Sequence, residues 1–324
     1  MDGRSLDAYG APLFLAWQLT NGCAANCLAC CEESGPGRAW RDELTRAESL
    51  SLAQQSIDLG IPYVAFGGGE PMAVPHFWDV VELLAGAGSA IKLETNGVHI
   101  DAAAAGRLAD LGIDCVQISV DGATAATHEA MRPGSSFADT LACIDRLVER
   151  GIKPQFVFVP TRRNINEMVA AFELAVAHGC GAFVTGPMMR IGRGAIAWDA
   201  LSVDPATWAA AEADLRRRGA ELASPIMLSI YPWDILTELV RRLESPQAML
   251  LVVPNGRVKL LNALPFAPGD LRRQSLAEAW HAYRAAWRTP VVRDFIMRAQ
   301  SDPSLLLHAN ETWDVQGAGA QVAA

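Results

Sequence analysis

Three cysteines, Cys23, Cys27 and Cys30, stand in the pattern C-x3-C-x2-C directly after an apolar run that reads as a β-strand. Thiolates gathered on one loop are suited to holding metal. Iron–sulfur clusters are bound by cysteine thiolates, commonly four, so three ligands from one loop leave one iron free to bind something else. An open coordination position means chemistry rather than storage. The alternative is a zinc site completed by Cys31, but adjacent Cys30 and Cys31 have difficulty pointing at one tetrahedral ion. Closed zinc sites also usually draw ligand pairs from two loops, and the sequence offers no second pair. Cys115, Cys143 and Cys180 are isolated and read as small core or boundary residues. Cys31 stays open between a packed thiol and a group standing behind the ligands.

Further along, three short polar segments also follow candidate strands: Gly67-Gly68-Gly69-Glu70-Pro71, Thr95-Asn96-Gly97 and Ser119-Val120-Asp121-Gly122. Glycines let backbone approach a ligand closely, and a carboxylate such as Glu70 can pair with an ammonium group. Each segment also has a plainer explanation. The glycines suit a strand-to-helix turn, Asp121 a turn former, and Thr95 and Asn96 a helix cap. A fourth segment, Gly186 to Gly194, offers Arg190 and Arg193 for a carboxylate or for surface ion pairing. His128 and Glu129 read as the solvated start of a helix.

The elements that must position these residues alternate regularly. Six strands are expected, at Leu13 to Thr20, Tyr63 to Phe66, Ile91 to Glu94, Val116 to Val120, Pro154 to Val159 and Ala182 to Thr185. Helical patterns fall between them and stop at Gly60, Gly112, Gly151 and Gly179. That rhythm implies an α/β fold with a parallel sheet, a partial (β/α)6 TIM barrel whose ligands sit at the carboxyl ends of the strands. After residue 200 the pattern changes. Helices are expected near Pro205 to Leu222 and Trp233 to Leu243, then a hairpin around Pro254-Asn255-Gly256 and a helix Leu276 to Trp287. Trp280, Tyr283 and Trp287 form an apolar stripe on that last helix and read as core. The expected organisation is an N-terminal segment 1–12, a core 13–200, a small α+β extension 201–313 and a flexible tail 314–324.

The composition constrains function. With 324 residues, 51% of them hydrophobic, the chain can bury a large core. A formal net charge of −9 lacks the basic footprint of nucleic-acid binding. No window resembles a secretory signal or reaches the roughly 20 apolar residues of a membrane span. Four of the seven cysteines lie between residues 23 and 31, which fits metal ligation in a reducing compartment, and a cytoplasmic location is expected.

Taken in order, these segments resemble the radical SAM superfamily, whose fingerprint is CxxxCxxC after the first strand of a partial barrel. The resemblance implies one [4Fe-4S] cluster on Cys23, Cys27 and Cys30, and S-adenosyl-L-methionine (SAM) held by Gly68, Gly69, Glu70, Thr95, Asn96, Ser119, Asp121 and Arg193. It implies reductive cleavage of SAM, hydrogen abstraction from a substrate, and an electron donor such as flavodoxin or ferredoxin. The C-terminal region resembles the SPASM-type extension of enzymes of pyrroloquinoline quinone and mycofactocin biosynthesis. It lacks their auxiliary-cluster cysteines, for none occurs after Cys180. The expected function is therefore radical chemistry on a small molecule or peptide in cofactor, peptide or natural-product biosynthesis. A dehydrogenase, decarboxylase or epimerase of a sugar-type substrate would share every motif, and a non-catalytic metal-binding protein is the distant rival. No side chain is singled out as catalytic acid or base.

Overall fold

Along each strand of the first half, residues alternate between two environments, as a sheet with two different faces requires. Leu15, Leu19, Val64, Phe66, Ile91 and Leu93 are buried in one apolar core with Leu52, Val80, Val81 and Leu84 of the covering helices. Their neighbours Ala16, Gln18, Ala65, Gly67, Lys92 and Glu94 line an internal chamber instead. The computed structural model describes residues 6–222 and 226–315. Most of the expected tail therefore lies outside the described residues, as does the start of the N-terminal segment.

The chain runs β1 (Phe14–Thr20), α1 (Arg46–Asp58), β2 (Tyr63–Gly68), α2 (Phe77–Gly86), β3 (Ala90–Thr95), α3 (Ala102–Asp110), β4 (Cys115–Ser119), α4 (Ala125–Met131), α5 (Phe137–Glu149), β5 (Gln155–Phe158), α6 (Met168–Ala177) and β6 (Ala182–Thr185). It continues with α7 (Arg193–Ile196), α8 (Trp198–Leu201), α9 (Pro205–Glu221), β7 (Met227–Ile230), α10 (Ile235–Glu244), β8 (Met249–Val252), β9 (Arg257–Lys259), β10 (Gly269–Asp270), α11 (Leu276–Ala286) and α12 (Pro290–Ser301). A 3-10 segment, Pro303–His308, follows. The helix starts carry their own signals. Thr45 with Glu48 and Ser275 with Glu278 form complete capping boxes, and Asp101, Ser136, Asp204 and Asp234 cap by side chain.

One sheet holds all ten strands in the order β10-β9-β8-β1-β2-β3-β4-β5-β6-β7. The pairings from β8 through β7 are parallel, and β9 and β10 are added antiparallel. The six expected strands form a partial-barrel core, and two further parallel strands extend it. The boundary expected at residue 200 is crossed by this sheet, since β7 pairs with β6 and β8 pairs with β1.

The expected hairpin is β8 and β9, turning at Gly256 with φ +83°. On α11, Trp280, Tyr283 and Trp287 are 1%, 1% and 6% exposed. Two of them are anchored as well as buried: Trp280 Nε1 donates to the Tyr9 carbonyl at 3.2 Å and the Tyr283 hydroxyl to the Gln247 carbonyl at 3.0 Å. No helix among the described residues is long and apolar enough to cross a membrane.

Candidate functional site

Parallel strands place all their carboxyl ends on one rim, so loops distant in sequence meet there. At the ends of β1 to β5 they enclose a cavity of about 200 Å3. Cys23, Cys27 and Cys30 line it together with Gly68, Gly69, Thr95, Asn96, Ser119 and Asp121. Among the described residues no three His, Cys, Asp or Glu side chains converge to hold a single metal ion. The thiols share one cavity without meeting at a point, so a mononuclear zinc site is not preformed.

The glycines after β2 prove to be fitted to the cysteine loop. Gly68 has φ +103°, and a Cβ on Gly69 would lie 2.0 Å from the Gly22 carbonyl oxygen. The Gly69 and Glu70 amides donate to the carbonyls of Thr20 and Gly22 at 2.7 and 2.9 Å. Only glycine allows two backbones so near each other.

Glu70 is 1% exposed and does not line the cavity. Its carboxylate accepts from the Thr95 hydroxyl at 2.7 Å, the Asn96 amide at 2.9 Å and the Met72 amide at 3.2 Å. Burial pushes its pKa up, against the pull of these donors. In this structure Glu70 ties the turn after β2 to the turn after β3. Asn96 then directs its side-chain amide at Cys23 Sγ, 3.6 Å away.

Arg193 is likewise placed behind the site. Its Nε donates to the Cys27 carbonyl at 2.7 Å and a terminal nitrogen to the Ser34 carbonyl at 2.6 Å, so the guanidinium holds the cysteine loop from outside and does not line the cavity. The adjoining Gly192, at φ +54°, sits where a Cβ would meet the Cys31 carbonyl oxygen at 2.3 Å. From the C-terminal end, Asn310 Nδ2 donates to the same carbonyl at 2.9 Å and to Glu33 Oε1 at 3.2 Å. Glu33 needs such support, being the one non-glycine among the described residues with positive φ.

The cation that does enter the cavity is Arg132, at the C-terminus of α4. It donates to Asp121 Oδ2 at 2.8 Å, while Asp121 Oδ1 accepts from the Val159 amide at 2.9 Å. Burial pushes the Cys27 thiol up, and the Arg132 charge is the main force opposing it. Arg132 Nε is buried without a hydrogen-bond partner. Sequence reasoning had not placed Arg132 in the site. Its signal was available, a basic residue in a polar stretch soon after Asp121.

His128 departs from the solvated helix start expected of it, being fully buried. Its Nδ1 accepts from the Asp121 amide at 3.3 Å and its Nε2 faces the Ser135 hydroxyl at 2.9 Å. Burial, reinforced by Arg132, pushes its pKa down to about 4, so it remains neutral and braces the loop after β4.

Residues 17–175, just under half of the chain, match the Radical SAM superfamily model. Mycofactocin maturase MftC of Mycobacterium ulcerans is 34% identical over 195 residues, 59% of this chain and 51% of that protein. The AdoMet-dependent heme synthase of Methanosarcina barkeri is 32% identical over 186 residues, 57% of this chain and 53% of that one. The matched region thus spans about half the length of these curated relatives. Among solved structures, Streptococcus suis SuiB bound to S-adenosylmethionine superposes with a TM-score of 0.71 at 13% identity, covering 87% of this chain and 70% of that one, a likeness of fold.

Proposed function

We propose that this chain is a radical SAM enzyme acting on a peptide or small-molecule precursor in a biosynthetic pathway. The observation that carries the reading is the meeting of Cys23, Cys27 and Cys30 with the turns after β2, β3 and β4 around one cavity. The residues fit the cofactors. Three thiols share the cavity, and Arg132 presents an unpartnered Nε suited to an anionic group.

In this reading Cys23, Cys27 and Cys30 hold a [4Fe-4S] cluster and leave one iron for SAM. A cluster and SAM held there would supply the radical chemistry by which hydrogen is taken from a substrate. The chain's own residues bind and orient. Arg132 receives the SAM carboxylate, Ser119 and Asn96 offer hydrogen bonds to its polar groups, and Glu70 holds the loop after β3 in place. Asp121 keeps Arg132 aimed into the cavity, and His128 fixes Asp121. The internal chamber beside β1 to β3 and β8 receives the substrate. An electron donor such as flavodoxin or ferredoxin would supply the reducing equivalent. MftC is named as a maturase and SuiB has been solved with its precursor peptide SuiA, which supports a peptide as one substrate class.

Anaerobic reconstitution followed by dithionite reduction tests the proposal. About four irons per chain and release of 5′-deoxyadenosine and methionine are expected. Changing Cys23, Cys27 or Cys30 to Ala abolishes both, whereas the Ala variants of Cys115, Cys143 and Cys180 retain them. Stoichiometric zinc without iron in the reconstituted protein overturns it.

A further inference from the structure

The internal chamber has a volume of about 410 Å3, within the usual range for small-molecule sites. Its walls are mostly apolar and aromatic, with Phe14 of β1, Leu251 of β8, and Tyr231 and Trp233 from the segment after β7. It adjoins the cysteine cavity, since Glu32, Gly67, Gly68 and Glu94 border both.

Three carboxylates, Glu32, Glu94 and Glu238, line the chamber with one cation, Lys92, which is paired with Glu94 at 2.6 Å, and Arg242 pairs with Glu238 from outside the lining. Glu238 on α10 is 4% exposed. Its Oε1 receives the Arg242 guanidinium, while its Oε2 is buried with no hydrogen-bond partner. A buried carboxylate oxygen is rarely left without a donor. The Tyr231 hydroxyl stands beside the carboxylate without closing a hydrogen bond to this oxygen, and the residue lines a chamber large enough for a ligand.

We propose that the chamber binds an apolar, aromatic-sized body carrying an amine, with the amine donating to Glu238 Oε2. The body packs against Phe14, Trp233 and Leu251, and the carboxylate of Glu94 stands at the border with the cysteine cavity. Gly67 makes room for that carboxylate, since a Cβ there would lie 3.0 Å from Glu94 Oε2. The proposal rests on the reading above only in taking this ligand to be the substrate.

Its test needs neither cluster nor SAM turnover, so the two readings fail separately. Ligand-observed NMR and calorimetry on the purified full chain compare 2-phenylethylamine, 2-phenylethanol and 3-phenylpropionate, which share a ring and differ in the terminal group. The amine is expected to bind about tenfold or more tightly than the carboxylate, as a charged hydrogen bond set against a repelled anion implies. Glu238→Gln keeps an acceptor for Arg242 and should weaken the amine about tenfold while changing the alcohol little. Trp233→Leu, in the segment just before α10, should weaken amine and alcohol alike, and serves if the Glu238 variant does not fold. Equal binding of amine and carboxylate, indifference to Glu238→Gln in a folded protein, indifference to Trp233→Leu, or displacement of the amine by SAM would each overturn the proposal.

Discussion

The two adjoining cavities are built in different ways. The cysteine cavity is framed by short loop segments at the ends of consecutive strands, held mainly through backbone: Gly69 and Glu70 amides on the loop after β1, Arg193 and Asn310 on its carbonyls. The chamber beside it is walled by side chains from strand interiors and from α10, whose only relation is spatial. Backbone fits demand particular residues, glycine above all, at particular spacings. Side-chain walls demand only volume and polarity, and so leave no fixed pattern. Cofactor chemistry is therefore expected to tolerate little change at the first site, while the second is free to vary with substrate.

The sharpest test of how far the two regions are independent uses α11. Trp280 is fully buried beneath the N-terminal segment, so Trp280→Ala should cost about 3 to 5 kcal/mol. Because β8 lies in the same sheet as β1, the loss should appear as one cooperative transition at lower denaturant, read by both circular dichroism and tryptophan fluorescence. Two separated transitions would mean that the region after residue 200 folds as a unit of its own.

A smaller effect probes the struts on the cysteine loop. Arg193→Ala and Asn310→Ala each remove hydrogen bonds to carbonyls of that loop while leaving the thiols intact. A reconstituted cluster should then lose iron to a chelator a few times faster than in the wild type, with Arg193 the stronger of the two because it holds two loop carbonyls through a charged donor where Asn310 holds one. In the metal-free protein, alkylation of Cys30 and Cys31 should also speed up. Unchanged rates in both assays would show that the loop holds its shape without them.

How much of this was legible in the sequence follows the same division. The six strands were readable because β-branched and apolar runs alternate with helical periods that end at glycines such as Gly60 and Gly112, both at positive φ. The cysteines and the polar turns after β2 to β4 were readable because each follows a strand in parallel order. The contacts of Glu70 and Arg193 were not, since a carboxylate or guanidinium beside a site looks the same in sequence whether it meets a ligand or, as here, backbone amides and carbonyls of the protein itself. His128 misled because α4 is only seven residues long and rich in polar residues, yet packs inward. The seam at residue 200 misled because β7 and β8 are four residues each, too short for periodicity to assign to the sheet.

The least of the expected effects concerns the outer contact between the two halves, where Arg272 reaches Glu48 at 2.8 Å, the same Glu48 that closes the capping box of α1. The Arg272 hydrogen bond, followed by that from the Thr45 amide, pulls the Glu48 pKa down to about 2. A carboxylate whose folded pKa lies below its unfolded one stabilises the protein fully above the unfolded value, near 4.5, and loses that contribution as pH falls toward 2. The pair is about one third exposed on each side, so its worth is about 0.5 kcal/mol after solvent screening. Arg272→Ala should therefore lower stability slightly at pH 7, and the gap from wild type should shrink as pH drops from 4.5 toward 2. A gap of several kcal/mol, or one that widens in acid, would mean that Arg272 has a structural task beyond this pair, and that the two halves are joined at their surface as firmly as they are through β1 and β8.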